Sequence, residues 1–213
     1  MSVRAHWETI YSTKAVDAVS WYQEHADSSL QLIRTSGEGR TAGIIDVGGG
    51  ASTLVDDLLD DGFSDVSVLD VSGTALAKAR ERLGDRAQAV RWIEADITAV
   101  RLPRARFRVW HDRAVFHFLT EPRDRQSYVR AVLSAVKPGG SVIVATFAED
   151  GPTKCSGLDV VRYGADALHS EFGPAFDLLR HKREEHRTPF GTVQRFVYCL
   201  CRRSSEPRGG LHS

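Results

Sequence analysis

The sequence has no excess of charge of either sign and no long apolar run. Lys and Arg together number 28, and so do Asp and Glu. This balance argues against broad electrostatic binding to DNA or RNA. No run of about 18 apolar residues is found and no apolar stretch follows the first methionine, so neither a membrane span nor a signal peptide is predicted. We therefore expect a cytoplasmic protein that binds neither nucleic acid nor membrane.

Cysteine is also scarce, and its three examples are Cys155, Cys199 and Cys201. An odd number without regular spacing argues against a disulfide framework. Cys199 and Cys201 are two positions apart, which places them on one face of a strand as small packing residues. No set of cysteines and histidines has the spacing of zinc ligands, so no metal site is predicted.

Glycine, by contrast, is concentrated at one informative place, the run from residue 44 to residue 52. Two β-branched residues lead into Asp46, and glycines follow at positions 48, 49 and 50. Apolar pairs then recur at helical spacing from Leu54, which predicts a strand, a tight turn and a helix. Glycine turns the chain at positive φ and lets a ligand approach backbone N–H groups. For this segment taken alone, an ordinary tight turn between a strand and a helix is the alternative.

Strand and helix patterns alternate from residue 43 to residue 147. Predicted strands span residues 43–47, 66–71, 89–94, 107–111 and 141–147, and predicted helices span 54–61, 75–83 and 125–136. Such alternation predicts a parallel sheet covered by helices on both faces. Residues 7–33 have helical spacing, with a second capped helix at 28–33. Beyond a short helix at 166–171, the extended runs 176–188 and 193–201 predict an antiparallel hairpin.

The acid and the glycines, Asp46-x-Gly48-x-Gly50, resemble motif I of the class I S-adenosylmethionine (SAM)-dependent methyltransferases. Thr53 stands where a dinucleotide-binding fingerprint has its third glycine. The resemblance covers residues 40–147 and implies SAM as the cofactor. It also implies an α/β fold, Rossmann-like and doubly wound, with a mostly parallel seven-stranded sheet, a C-terminal antiparallel hairpin and an N-terminal helical segment.

The length suggests one domain over residues 1–203. Within it we distinguish an N-terminal helical cover (1–38), a SAM-binding core (40–147) and an acceptor-side loop, helix and hairpin (148–203). Residues 204–213 are polar and glycine-rich, and we expect them to be disordered.

Ligands bind at the carboxyl ends of the strands in a doubly wound sheet. Asp70 ends the second predicted strand about 20 residues beyond the glycines, where an acid accepts both ribose hydroxyls. The resemblance implies that Gly48 and Gly50 lie alongside the methionine part of SAM, that Val71 packs on the adenine and that Asp96 binds the adenine amino group. The implied cofactor site consists of Asp46, Gly48, Gly50, Asp70, Val71, Asp96 and Ile97.

Trp7, Tyr11 and the triplet Trp21-Tyr22-Gln23 resemble the N-terminal leader of a methyltransferase branch that includes the elongation-factor lysine methyltransferases. In that branch the segment folds over the SAM site, which implies that Trp21 and Tyr22 contact the cofactor. Aromatic residues at helical spacing also pack in helix cores, and both interpretations stay open.

The string from residue 110 to residue 119 follows the fourth predicted strand, where the family has its acceptor site. Histidine has a pKa near neutral pH and suits proton removal from a nucleophile, so His111 and His117 are candidate catalytic bases. Asp112 is a candidate catalytic residue that orients one of them or binds the acceptor. Arg113 is a candidate substrate-binding residue that pairs with an acidic acceptor or with Asp112. The alternative is that one histidine only satisfies a backbone carbonyl.

Two later segments contribute candidate substrate-binding residues. The stretch 146–157 leaves the fifth strand as a long loop, a usual place for a lid. Its Cys155 is a candidate contact for a thiol or metalloid acceptor, with an incidental loop cysteine as the alternative. His186 lies in the predicted hairpin and would project near the same rim.

The leading interpretation is methyl transfer from SAM to a small-molecule acceptor by a monomer or weak homodimer. A thiol is favoured because it ionises at a pKa of about 8.5. The N-terminal segment suggests protein lysine methylation instead. Asp112-Arg113 matches the start of the Asp-Lys-Gly-Thr-Leu-Asp-like string of those enzymes, but Val115-Phe116-His117 departs from it. A nicotinamide-dependent oxidoreductase and a non-catalytic SAM-binding subunit are the alternatives from other classes.

Overall fold

The computed structural model describes residues 2–205, so that most of the predicted disordered tail, residues 206–213, lies outside the described residues. Nine strands occur in the described part: β1 Ile44–Val47, β2 Val66–Asp70, β3 Val90–Glu94, β4 Phe107–Arg113, β5 Val136–Phe147, β6 Lys154–Cys155, β7 Leu158–Asp159, β8 Phe176–Arg187 and β9 Val193–Arg203. Seven of them form one sheet in the order β3-β2-β1-β4-β5-β9-β8. The pairings are parallel from β3 to β5, and β9 is antiparallel to both β5 and β8. The predicted fold class is confirmed.

Helices cover both faces of this sheet. Within residues 2–205 the α-helices are α1 Val3–Thr13, α2 Asp27–Thr35, α3 Leu54–Asp60, α4 Gly73–Leu83, α5 Pro122–Ala135 and α6 Ala165–Phe172. Leu32 of α2, Leu54 of α3 and Leu76 of α4 belong to the core on one face. Tyr128 of α5 and Leu168 of α6 belong to the core on the other face. No described helix combines the length and apolar character needed to cross a bilayer.

The central strands are buried on both faces, which is why they are continuous apolar runs. All four residues of β1 are buried, and so are all five of β2. In β4, alternation sends Val109 into one core and Trp110 into the other. The same alternation governs the polar residues that follow in this strand.

Several predicted boundaries are wrong, including those of β4 and β5. β4 runs two residues beyond its predicted end at 111, because Asp112 and Arg113 still pair with Val144 and Ala145 of β5. β5 starts at residue 136 instead of 141, with residues 137–140 forming a bulge in its pairing with β4. The helical pattern over 7–33 is interrupted, because residues 14–15 and 19–26 are not helical and a short 3-10 turn lies between them, before α2 begins at Asp27.

Candidate functional site

Two cavities lie at the carboxyl ends of β1, β2 and β4, where ligands bind in doubly wound sheets. The smaller, of about 50 Å³, runs along the glycine turn and is called the glycine-loop cavity. The larger, of about 120 Å³, is called the aromatic cavity. Because Tyr11, Trp21, Gly48 and Arg113 line both, the two cavities adjoin. The glycine-loop cavity also has Tyr22, Ser29, Asp46, Gly49 and His111 in its wall. The aromatic cavity also has Trp7, Asp70, Val71, Asp96, Ile97, Phe118, Phe147, Cys155 and Phe196 in its wall.

The glycine turn is dictated by close approach as well as by backbone angle. Gly48 has φ +69° and Gly50 has φ +35°, values that side-chain-bearing residues rarely adopt. A Cβ at position 50 would lie 2.6 Å from Oδ2 of Asp70. The guanidinium of Arg82 donates to the carbonyls of Ala51 at 2.9 Å and Ser52 at 2.6 Å, which holds the far end of the turn.

The acid of the glycine motif is joined to a histidine of β4. His111 Nδ1 donates to Oδ1 of Asp46 at 2.7 Å, and His111 Nε2 lies 2.8 Å from Oγ of Ser29 on α2. Burial raises the pKa of the Tyr198 phenol to about 12, and Ser29 opposes that rise; the same phenol accepts from Arg113 Nε at 2.9 Å. Because His111 is directly opposite Asp46 in the register of the neighbouring strands β1 and β4, these residues run from the glycine-loop cavity to Arg113, which lines both cavities.

The predicted adenosine-side residues lie together in the aromatic cavity. Asp70 is buried, and burial raises its pKa to about 7. Its Oδ1 accepts the Ser72 N–H at 2.8 Å, which leaves Oδ2 toward the glycine turn. Asp96 is exposed, and its Oδ1 accepts both the N–H and the hydroxyl of Thr98. The buried Asp70 carboxylate lies beside space that a Cβ at position 50 would fill, and Val71 and Asp96 line the same cavity. This arrangement fits the ribose and adenine of SAM.

The N-terminal helix α1 covers this site. Glu8 accepts the Gly73 N–H at 2.6 Å and the Thr74 hydroxyl, which ties α1 to the first turn of α4. The ring of Trp7 lies 5.2 Å from that of Phe118 and 5.6 Å from that of Trp21. Trp21 therefore packs in an aromatic cluster and also lines both cavities, so the two interpretations of its role do not exclude each other.

Arg113 ends β4 on the cofactor side of the sheet. Besides Tyr198, its guanidinium donates to the Trp21 carbonyl at 3.3 Å and to Oε1 of Glu184 at 3.5 Å, and it lies 4.3 Å over the ring of Phe196. Burial lowers the pKa of Arg113, but Tyr198 and Glu184 outweigh that effect and hold its pKa above the ordinary value. The side chain is therefore a buried positive charge.

The structure does not bring Asp112 to either cavity. It points to the face opposite His111 and Arg113, because successive strand residues alternate. Its carboxylate accepts the Tyr128 hydroxyl at 2.6 Å and the N–H groups of Val115 at 2.8 Å and Phe116 at 3.1 Å. Burial raises its pKa to about 6. This geometry holds the turn after β4 and does not orient a histidine.

The other two predicted histidines are also outside the cavity walls. His117 Nδ1 accepts the Phe147 N–H at 3.2 Å, and burial, helped by Arg113, lowers its pKa to about 3. His186 Nε2 donates to the Ser20 carbonyl at 2.8 Å and so fastens the N-terminal segment to β8. Burial lowers the pKa of His186 as well. Neither imidazole is placed to take a proton from a ligand in the aromatic cavity.

Cys155 does line the aromatic cavity, from the β6–β7 hairpin that occupies the predicted lid loop. Burial raises the pKa of its thiol to about 11, although Arg113 opposes that rise. Among residues 2–205 no three His, Cys, Asp or Glu side chains are grouped to hold a metal ion.

Several residues of the site were not predicted from the sequence. Ser29 of α2 and Phe196 of β9 line a cavity, and Glu184 of β8 and Tyr198 of β9 contact Arg113. Phe196 and Tyr198 are two positions apart in a strand and therefore share one face of the sheet. That spacing is a sequence signal by which the two residues could have been grouped. Tyr11 follows Trp7 by one helical turn, and both lie in the N-terminal segment that the resemblance places over the cofactor site.

Sequence comparison relates this chain to known methyltransferases. Residues 44–140 match the family model described as a methyltransferase domain. An eEF1A lysine and N-terminal methyltransferase homolog of Drosophila melanogaster is 25% identical over 144 residues, 65% of this chain and 21% of the relative. The eEF1A lysine and N-terminal methyltransferase of Mus musculus is 25% identical over 108 residues, 51% of this chain and 15% of the relative. The chain thus spans at most about a fifth of the length of these curated relatives.

Solved structures match nearly the whole chain. The structure described as the conversion of a disulfide bond into a thioacetal group during echinomycin biosynthesis has a TM-score of 0.77 at 15% identity, covering 97% of this chain and 94% of the other. The 1,6-didemethyltoxoflavin-N1-methyltransferase of Burkholderia thailandensis, solved with S-adenosylhomocysteine, has a TM-score of 0.67 at 17% identity, with coverages of 95% and 87%. The N-methyltransferase NodS of Bradyrhizobium japonicum, also with S-adenosylhomocysteine, has a TM-score of 0.68 at 15% identity, with coverages of 92% and 97%. At these identities the likeness shows the fold, and together with the methyltransferase-domain match over residues 44–140 it supports a class I SAM-dependent methyltransferase.

Proposed function

We propose that this chain transfers the methyl group of SAM to a small-molecule acceptor held in the aromatic cavity. The observation that carries the proposal is the continuity of that cavity. One wall of the aromatic cavity has Asp70 and Val71, which fit the adenosine, and another has Phe147 and Phe196. Arg113 lines both this cavity and the glycine-loop cavity. This cavity, beneath α1 and beside the hairpin, would enclose a molecule of modest size.

The residues of this chain hold, orient and shield the reactants. When bound, SAM supplies a methyl group that is already electrophilic on a sulfonium. Asp70 accepts the ribose hydroxyls, and the glycine turn leaves room for the methionine part. Trp7 and Trp21 close the cavity above, which excludes water and favours in-line alignment of an acceptor. Aromatic faces also favour a neighbouring positive charge.

A small molecule with a soft nucleophile such as a thiol is the acceptor that we favour. Apolar side chains dominate the acceptor end of the cavity, and a thiol loses little on leaving water for such surroundings. The neighbour named for converting a disulfide bond into a thioacetal acts on sulfur, but its likeness to this chain carries the fold alone.

Protein lysine methylation is the second candidate. The curated relatives are named for methylating eEF1A lysine and N-terminal residues, and the aromatic N-terminal segment is similar to theirs in type. Against this, α1 and Trp21 lie over the cavity and a lysine side chain of a folded protein needs an opening through them. The small molecule is therefore placed first.

The experiment has two parts. Isothermal titration with S-adenosylhomocysteine, with NADH as control, tests the cofactor, and we expect micromolar binding of the first alone. Radiolabelled SAM is then incubated with the protein and a lysate that is separated into small-molecule and macromolecular fractions. Label in the small-molecule fraction that is lost in Asp70→Asn supports the proposal. Label confined to protein supports lysine methylation, and binding without turnover supports a non-catalytic subunit.

A further inference from the structure

Arg113 is a buried positive charge that the holding of SAM does not explain. Its side chain is only 10% exposed, yet it lines both cavities. A guanidinium has five N–H donors. Within the described residues, three of them have partners, namely Tyr198, the Trp21 carbonyl and Glu184. Two donors therefore remain for a ligand at the junction of the cavities.

Among residues 2–205, no side chain at the acceptor end of the aromatic cavity takes a proton at neutral pH. Burial raises the pKa of Tyr11 and raises that of Cys155 to about 11, so both keep their protons. His111 has both ring nitrogens engaged and lines only the glycine-loop cavity. His117 lies outside the wall and accepts a backbone N–H. The acidic residues of the same cavity, Asp70 and Asp96, lie on the adenosine side.

We propose that the acceptor binds beside Arg113 as an anion, which makes it an acidic small molecule such as a thiol or phenol and not an amine. This inference rests on the proposed function. The acceptor loses its proton to solvent as it binds. Its lone pair then forms the bond to the methyl carbon, while the old carbon–sulfur bond breaks and its electron pair stays on sulfur. Arg113 stabilises the anion, and no protein base is required.

The nearest opposing charge makes the inference testable in two directions. Glu184 is the carboxylate that faces Arg113, at 3.5 Å, and it also accepts from Gln23 at 3.3 Å. Cys155 already shows the effect on this wall, because Arg113 opposes the rise of its thiol pKa. Removing Arg113 should make the acceptor harder to ionise, and removing the charge of Glu184 should make it easier.

The probe is 4-nitrophenol, whose anion alone is yellow, bound to the protein saturated with S-adenosylhomocysteine. A pH titration of its absorbance measures the pKa of the bound probe without any turnover. We expect that pKa to lie about one unit or more below the value in free solution. Arg113→Gln should return it to the free value or higher, Arg113→Lys should keep part of the shift, and Glu184→Gln should lower it further. Arg195→Gln removes an exposed positive charge of the same hairpin and should change nothing.

The inference is overturned if 4-nitrophenol does not bind, or if its bound pKa is not lowered in the unmodified protein. Equal shifts in Arg113→Gln and Arg195→Gln overturn it too. If Arg113→Gln does not fold, Glu184→Gln alone decides, since a purely structural ion pair gives no lowering of the probe pKa. Methyl transfer to benzenethiol is measured separately. A lowered probe pKa without methylation of any small molecule contradicts the proposed function and leaves the anion site standing.

Discussion

His111 and Asp46 face each other across adjacent parallel strands, with Nδ1 and Oδ1 2.7 Å apart. Both side chains are almost fully buried, at 3% exposure each. The acid of the glycine motif is therefore hydrogen-bonded from within the sheet by a histidine that the sequence suggested as a base. In this position the imidazole supports the cofactor turn, and its second nitrogen is engaged by Ser29.

The first prediction compares this pair with a similar pair in which only the histidine is exposed. His25 Nδ1 lies 2.8 Å from Oδ1 of Asp57, but the histidine is 67% exposed. His111→Phe leaves the Asp46 carboxylate buried without its partner, and we expect a loss of about 3 kcal/mol of stability. His25→Phe should leave stability nearly unchanged, because water replaces the lost partner. Urea unfolding measures both, and equal losses would contradict the role given to burial.

The position of the acids at the ends of strands could be predicted from the sequence to a large extent. Asp46, Asp70 and Asp96 follow from where strands end, and strand ends are marked by local signals such as β-branched runs and glycines. Parallel strands bring those ends to one edge whatever the details of packing. Local pattern therefore sufficed to place the acids near one another.

The acceptor side could not be predicted in the same way. Because β4 was predicted to end at residue 111, the alternation of strand side chains was not extended to the next two residues. In the structure, that alternation directs Arg113 to the cavities and Asp112 to the opposite face of the sheet. Ser29 and Tyr198 come from segments about 170 residues apart, and no local rule links them. Their contact depends on β9 lying beside β5, which is a property of the whole fold.

The second prediction concerns His117 and acid stability. Its folded pKa of about 3 lies below the unfolded value of about 6.5. The folded state thus excludes a proton that the unfolded state binds. The contribution of His117 to stability is therefore complete above pH 6.5 and is lost as the pH falls toward 3. His117→Phe removes the dependence. When the pH is lowered from 8 to 5, the free energy of unfolding of the variant should therefore rise by about 2 kcal/mol relative to that of the unmodified protein.

Chemical denaturation at the two pH values checks this gain, with methyl transfer measured alongside. We expect turnover to change little, since His117 does not line the cavity. A large loss of turnover in a folded His117→Phe protein would restore the histidine as a candidate base.

The third prediction has the opposite sign and concerns Asp70. Its folded pKa of about 7 lies above the unfolded value of about 3.9, so its stabilisation is present below pH 4 and lost as the pH rises through 7. When the pH is raised from 4 to 8, the free energy of unfolding of Asp70→Asn should therefore rise by on the order of 3 kcal/mol relative to that of the unmodified ligand-free protein. The same variant should bind S-adenosylhomocysteine at least tenfold more weakly, because a charged acceptor of the ribose hydroxyls is lost.

Thermal or urea unfolding gives the first quantity and isothermal titration the second. A more stable variant with weaker ligand binding is the signature of a buried charge kept for a ligand. Unchanged affinity removes Asp70 from the cofactor site, whatever its effect on stability.

The last prediction separates backbone strain from close approach at the glycine turn. Gly50→Ala and Gly62→Ala both place alanine at positive φ, +35° and +85°, and each should cost about 1–2 kcal/mol of stability. Nothing lies within 4 Å of a Cβ at position 62, whereas a Cβ at position 50 meets the Asp70 carboxylate at 2.6 Å. Gly50→Ala should therefore also push Asp70 aside and weaken S-adenosylhomocysteine binding, and Gly62→Ala should not. If the two variants bind the ligand equally well, the turn requires glycine for its backbone angle alone and the approach of Asp70 plays no part in holding the cofactor.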